Sequence, residues 1–217
     1  MSTDVRQQDQ GERRDQGGPA EPQSTAWRIG RRVSDLVDPK NVIVAVSTAF
    51  GVHFGWKGLG WAAIAVVFSA VLPMAYIVYA RSGGQWSERH LVDRAKRMAV
   101  LPVIVGSAAA GVALEVATSA PAAMVALTAA MWATITVVWP VTRWYKVSVH
   151  AAVVAGSFAM LAAEYGWWWL AGLVLVPVIS WARVRVREHT VGQVVAGTVL
   201  GLAVAGGVYV LAVRLAG

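Results

Sequence analysis

The chain has 217 residues, 57% of them hydrophobic and only 14% charged, with a mean hydropathy of +0.54. A soluble domain carries about 25% charged residues, and here the apolar residues come in long blocks, so the surplus must face lipid rather than one water-excluded core. The formal net charge of +7 falls between those blocks, where anionic lipid headgroups and topology account for it and nucleic acid is not an expected partner. With no cysteine in the chain, disulfides, a thiolate nucleophile and a zinc cage all drop out.

In chain order, residues 1–26 are polar, rich in Gly, Gln and Pro and without apolar periodicity, which reads as a disordered tail. Residues 27–40 (WRIGRRVSDLVDPK) place Trp27, Ile29, Val33 and Leu36 along one stripe with arginines beside it, the pattern of a short interfacial helix. Seven apolar blocks follow, at about 41–56, 59–80, 98–116, 121–141, 150–163, 166–181 and 191–213. Blocks five and six are split by Glu164-Tyr165-Gly166. The runs are too long for strands and lack period-2 alternation. Trp61, Trp139, Trp144, Trp167, Trp168, Trp169 and Trp181 lie near block ends, where an interfacial belt places them. The expected fold is an all-α, polytopic transmembrane bundle of about six to seven spans over residues 41–217, behind a polar segment 1–40.

If all seven blocks cross, segments 81–97, 142–149 and 182–190 share one face with the N-terminal tail, and that face holds 17 of the 19 Lys and Arg residues. Only Lys57 and Arg214 fall on the other. The positive-inside rule assigns the basic face to the cytoplasm of a cell-membrane protein. His53, alone in the first block, is expected to be a buried hydrogen-bonded side chain. Glu115 and Glu164 sit at block ends away from the basic face, where solvation is cheap, and receive no role.

Three of the four histidines lie in the basic segments or at their helix junctions, in SERHLVDRAKR (87–97), TRWYKVSVH (142–150) and ARVRVREHTVGQ (182–193). Imidazoles and guanidiniums gathered at a membrane surface suit phosphate-ester chemistry on a lipid head. Arginines bind phosphoryl oxygens in forked geometry and stabilise transition-state charge. One imidazole can attack phosphorus and another protonate the departing oxygen. A helix starting at Thr190 would aim its first amides at the loop, and Ser148 would cap a helix that carries His150 just inside it. Thr190 and Gln193 have capping-box spacing.

These segments resemble the type 2 phosphatidic acid phosphatase superfamily, the lipid phosphate phosphatases, whose signatures are Lys-x6-Arg-Pro, Ser-Gly-His and Ser-Arg-x5-His-x3-Asp. The third is matched as A-R-VRVRE-H-TVG-Q over 182–193, the second as S-V-H over 148–150, and the first as H-LVDRAK-R-M over 90–98. A second register, R-AKRMAV-L-P over 94–102, keeps the proline and loses the arginine. The departures are Ala182 for Ser, Val149 for Gly, Met98 for Pro and Gln193 for Asp. A His-Thr pair followed by Gln at this spacing is similar to bacterial members, so the chain resembles a divergent bacterial-type branch.

The resemblance implies His189 as the nucleophile that forms a phosphohistidine and His150 as the general acid. It implies Arg183, Arg97, Ser148 and His90 as phosphate-binding groups and Gln193 as the residue orienting His189. The expected substrate is a lipid phosphomonoester or diphosphate, of polyprenyl or phosphatidate type, hydrolysed without a metal or other cofactor. Two other readings stand beside it: a non-catalytic relative that binds lipid phosphate or a membrane partner, and a small transporter, for which the blocks offer few mid-membrane polar groups.

Overall fold

A computed structural model describes residues 24–82 and 94–216, with no side-chain description for 81, 82 and 94–97. The tail up to residue 23, expected to be disordered, lies outside the described residues. Helix α1 is Thr25–Leu36, started by Ser24, whose hydroxyl accepts from the Trp27 amide at 3.3 Å. Helix α2 is Pro39–His53, with Asp38 as its cap and proline in its first turn. Helix α3 runs Gly55–Val66, through a π turn Val67–Val71, into Leu72–Ser82. The Ser107 hydroxyl, from the next helix, donates to the Phe68 carbonyl of that π turn at 2.6 Å, satisfying a backbone group the bulge displaces. Helices α4 (Arg94–Ala117), α5 (Ala122–Thr142) and α6 (Val149–Tyr165) follow. Helix α7 opens as a 3-10 segment, Trp167–Val174, and continues as Leu175–Arg185. Helix α8 is Val191–Leu200, a π segment Gly201–Gly206, and Gly207–Ala216.

Five stretches are long and apolar enough to cross a bilayer: Gly55–Ala80, Met98–Ala117, Ala122–Thr142, Trp167–Arg185 and Val191–Ala216. The protein is a multi-pass, all-α integral membrane protein. That is fewer than the six to seven spans expected. Helices α6 and α2 run between the same two ends, with Lys40 sharing a cavity wall with His150 and Phe50 against Tyr165, but at 17 and 15 residues they are shorter than those five. The reason is local: Ser148 and Asp38 cap their starts, while Gly166 and Phe54 end them.

Short connections make successive helices antiparallel, so among the described residues segments 142–149 and 182–190 gather with α1 at one end. Arg31 of α1 meets Glu188 at 3.1 Å, and Lys146 Nζ donates to the Glu188 carbonyl at 2.8 Å. Helix α1 docks on the end of α7, where a side chain at Gly30 would meet the Ala182 carbonyl oxygen at 3.4 Å. Its expected stripe shifts accordingly. Gly30 and Ser34 are buried while Ile29 and Leu36 are exposed, because α1 packs on a neighbouring helix through its small residues. His53 is also corrected: it is exposed at the end of α2, in edge contact with Phe54 and Tyr165. Glu115 is the reverse case, fully buried, with Oε1 accepting from Thr128 Oγ1 at 2.9 Å. Glu164 accepts from the Tyr209 hydroxyl.

Helices α6 and α8 cross in close contact. A methyl group at Gly197 would lie 2.3 Å from the Ser148 carbonyl oxygen, and one at Gly201 2.1 Å from that of Ala152. In lipid, where apolar burial gives little association, such small-residue contacts carry helix pairing.

The chain has no native cysteine, so its topology can be read with single substitutions. Arg32→Cys and Arg143→Cys should react with an impermeant maleimide from the same side of sealed vesicles, the cytoplasmic one, and Lys57→Cys only from the other. Labelling of positions 32 and 143 from opposite sides would break the shared basic face.

Candidate active site at the basic end of the bundle

The last turn of α7 sets the geometry. The Arg187 amide donates to the Val184 carbonyl at 3.0 Å and the Glu188 amide to the Arg183 carbonyl at 3.1 Å, the paired bonds of a Schellman close. Arg187 takes the left-handed position usual for glycine, with φ 59°. The His189 amide also donates to the Arg183 carbonyl, at 3.2 Å. Two residues six apart in sequence are thereby tied through one carbonyl.

The chain then enters α8 through a capping box. The Thr190 hydroxyl accepts from the Gln193 amide at 3.4 Å, and Gln193 Oε1 accepts from the Thr190 amide at 3.2 Å. The same Oε1 lies 3.1 Å from His189 Nδ1. A backbone N–H can only donate, so the side-chain atom facing it is the oxygen, and Nδ1 facing that oxygen must carry its proton. His189 is therefore the Nδ1–H tautomer, with the lone pair on Nε2, a buried atom. Gln193 serves as cap and as orienting group at once.

The second segment joins the first through backbone. The Ser148 amide donates to the Gln193 carbonyl at 3.1 Å. Ser148 is fully buried, and its hydroxyl accepts from the Ala151 amide at 3.5 Å as the cap of α6. His150, two residues past the cap, has Nε2 3.5 Å from Arg183 Nη1. A guanidinium has no acceptor, so Nε2 is the bare nitrogen and Nδ1 the protonated one in this arrangement.

Arg183 is 5% exposed, with its guanidinium beside the His150 ring and its carbonyl bonded to the His189 amide. Nη1 also donates to Ser34 Oγ at 3.3 Å, and Nη2 is ion-paired with Glu188. Its Nε is buried with no hydrogen-bond partner among the described residues. A guanidinium presenting an N–H beside an imidazole is equipped to take a phosphoryl oxygen. One arm of it, Nη2, is held by a single oxygen of the Glu188 carboxylate, whose other oxygen pairs with Arg31.

Of the residues expected from sequence, the fold brings together Arg183, His189, His150, Ser148 and Gln193. Arg97 lies in the first turn of α4, and its side chain is outside the described residues, as is the whole of His90. Sequence reasoning missed Ser34, Arg31, Lys146 and Glu188. Glu188 had a signal, being the lone carboxylate in a run of arginines. Ser34 had none, since it reaches the site only because α1 folds back onto α7. Among the described residues, no group of three His, Cys, Asp or Glu side chains is placed to hold a metal ion. His150 also lines a largely apolar cavity of about 350 Å3 between α2, α3, α4, α5 and α6. Compared with family models, with curated proteins and with solved structures, the chain finds no match.

Because Glu188 competes for the Arg183 fork, Glu188→Gln should tighten binding of inorganic phosphate about tenfold, as expected when one charge-assisted bond no longer has to be broken. Equilibrium binding of phosphate to the purified protein measures this. Weaker binding would mean that Glu188 holds Arg183 in place rather than competing for it.

Proposed function

We propose that the protein is a lipid phosphatase working at its basic membrane face through a phosphohistidine intermediate. The observation that carries this reading is a buried Arg183 whose guanidinium lies beside His150, a residue of the apolar cavity wall, and whose carbonyl is bonded to the amide of a His189 with its ring held by Gln193. The substrate is a lipid phosphomonoester or diphosphate. Its phosphoryl group displaces Glu188 from Arg183, and the guanidinium holds the equatorial oxygens as charge builds. His189 Nε2 attacks phosphorus while Gln193 accepts from Nδ1–H. Once the phosphoryl group occupies the Arg183 N–H groups, His150 Nε2 is released to carry the proton that the leaving oxygen takes. Water then attacks the phosphohistidine, delivers its proton to His150 and frees phosphate. Arg97, from the start of α4, joins the phosphate-binding set, and His90 lies in the same connection. The chemical pattern resembles the type 2 phosphatidic acid phosphatases, with the basic face in the cytoplasm.

The second reading, a relative that binds lipid phosphate without turnover, is favoured by one feature. The residue orienting His189 is a neutral amide, which stabilises an imidazolium less than a carboxylate does.

Phosphate release from phosphatidic acid, phosphatidylglycerol phosphate and short polyprenyl phosphates and diphosphates, in detergent without divalent metal, separates the two. Turnover should be abolished by His189→Ala, fall about 10²–10⁴-fold in His150→Ala, and about 10²–10³-fold in Arg183→Ala. Binding without turnover on every substrate would select the second reading. Gln193→Glu keeps the cap and restores a carboxylate beside Nδ1, and should raise kcat about tenfold, the low end of the effect of such orienting groups. An unchanged kcat would remove orientation of His189 from the rate-limiting step.

A further inference from the structure

Outside the Arg183 cluster, the basic end carries a second charged surface. It is a groove between the end of α7 and the start of α8, lined by Trp181, Val184, Val191 and Val194 together with Arg185 and Arg187. The spans on either side set its depth in the membrane, since Arg185 ends one and Val191 begins the next. The groove therefore sits at the headgroup level, where an exposed Trp181 also belongs. Both arginines are exposed, and neither makes an ion pair or side-chain hydrogen bond among the described residues. The neighbouring carboxylate is engaged elsewhere: one Glu188 oxygen pairs with Arg31 and the other with Arg183. Arg187 is unusual in its backbone as well. With φ 59° it takes the left-handed position at the helix end, which favours glycine, so the chain carries a guanidinium where its removal would relax the backbone. Such outliers collect at functional positions.

We propose that this groove binds an anionic phospholipid of the surrounding bilayer, with its phosphodiester on Arg185 and Arg187 and an acyl segment along the apolar lining. Charge complementarity selects the occupant. Two uncompensated guanidiniums at headgroup level attract an anion, and the apolar side chains beside them suit a hydrocarbon attached to it. A free phosphate meets only the first condition, and a zwitterionic lipid brings a cation of its own. A peptide would have to carry unsatisfied backbone groups toward lipid. The lipid belongs to the bilayer and not to the reaction, because neither arginine is part of the Arg183, His150 and His189 set. The inference therefore holds whether or not the protein turns over a phosphate ester.

The test is native mass spectrometry of the full chain released from micelles that hold phosphatidylglycerol and phosphatidylcholine with identical acyl chains, titrated to give an affinity for each. Wild type should retain phosphatidylglycerol in preference to phosphatidylcholine. Arg185→Gln and Arg187→Gln should each weaken that retention about fivefold, the effect of one basic residue at an anionic surface. Arg28→Gln with Arg32→Gln removes as much charge from the exposed side of α1 as the two groove substitutions together, and should leave retention unchanged. Arg187→Gly guards against a variant that merely folds poorly. It should raise the melting temperature in lipid-free detergent, because glycine suits φ 59°, and still lower the affinity for phosphatidylglycerol. Glycerol phosphate, a headgroup without chains, should not displace the lipid at equal concentration. Equal retention of the two lipids, a loss from the α1 pair as large as from the groove pair, undiminished affinity in Arg187→Gly, or displacement by glycerol phosphate would each overturn the groove as a lipid site.

Discussion

Helices α6 and α8 approach so closely that neither Gly197 nor Gly201 has room for a methyl group against the α6 backbone. Much of the basic end depends on this contact. It sets the first turns of the two helices at the same depth, and the Ser148 amide closes the gap by donating to the Gln193 carbonyl. His150 and His189 are each within two residues of a helix cap, and Arg183 links these residues 39 positions apart, its guanidinium beside the His150 ring and its carbonyl bonded to the His189 amide. The π segment Gly201–Gly206 lies along the same contact, where α8 adjusts its pitch to stay against α6.

Burying Arg183 at a membrane face is costly, and its neighbourhood is built to offset that. A charged side chain withdrawn from water is tolerated when paired and hydrogen-bonded. Arg183 has Glu188 as counterion, the Ser34 hydroxyl as acceptor and the His150 ring nitrogen alongside. Glu188 is itself held from outside by Arg31, and its carbonyl by Lys146. Helix α1 is thus part of the electrostatics, supplying both Ser34 and Arg31 to the bundle. On the proposed reading, an entering phosphoryl group exchanges one anion for another, so little net charge has to be desolvated anew.

The two ends of the bundle divide the polar work. The basic end holds the guanidinium–imidazole cluster, and the opposite end holds the Glu115–Thr128 and Glu164–Tyr209 pairs. Between them the walls are largely aliphatic, with the Thr134 and Thr142 hydroxyls returned to their own helix backbone. Exposed tryptophans mark both ends, Trp144 and Trp181 near the basic one and Trp167, Trp168 and Trp169 near the other, as amphipathic rings do at the headgroup level.

The sequence alone determined the helical class, all seven apolar segments and the break at Gly166, because apolar length and period are local properties that lipid reads directly. It also located the caps at Ser148 and Thr190, since capping chemistry spans only three residues. The packed face of α1, the exposure of His53 and the burial of Glu115 were not legible, because each depends on a neighbour from another helix. The same holds within the site. The residue types and their spacing marked His189, His150, Arg183, Ser148 and Gln193, but nothing local indicated that Ser34 would fold back from α1. Nor did it show that Glu188 would occupy the arginine's fork or that one Gln193 oxygen would serve both cap and histidine. Those were decided by tertiary structure, since a buried charge takes whatever partners packing brings within reach.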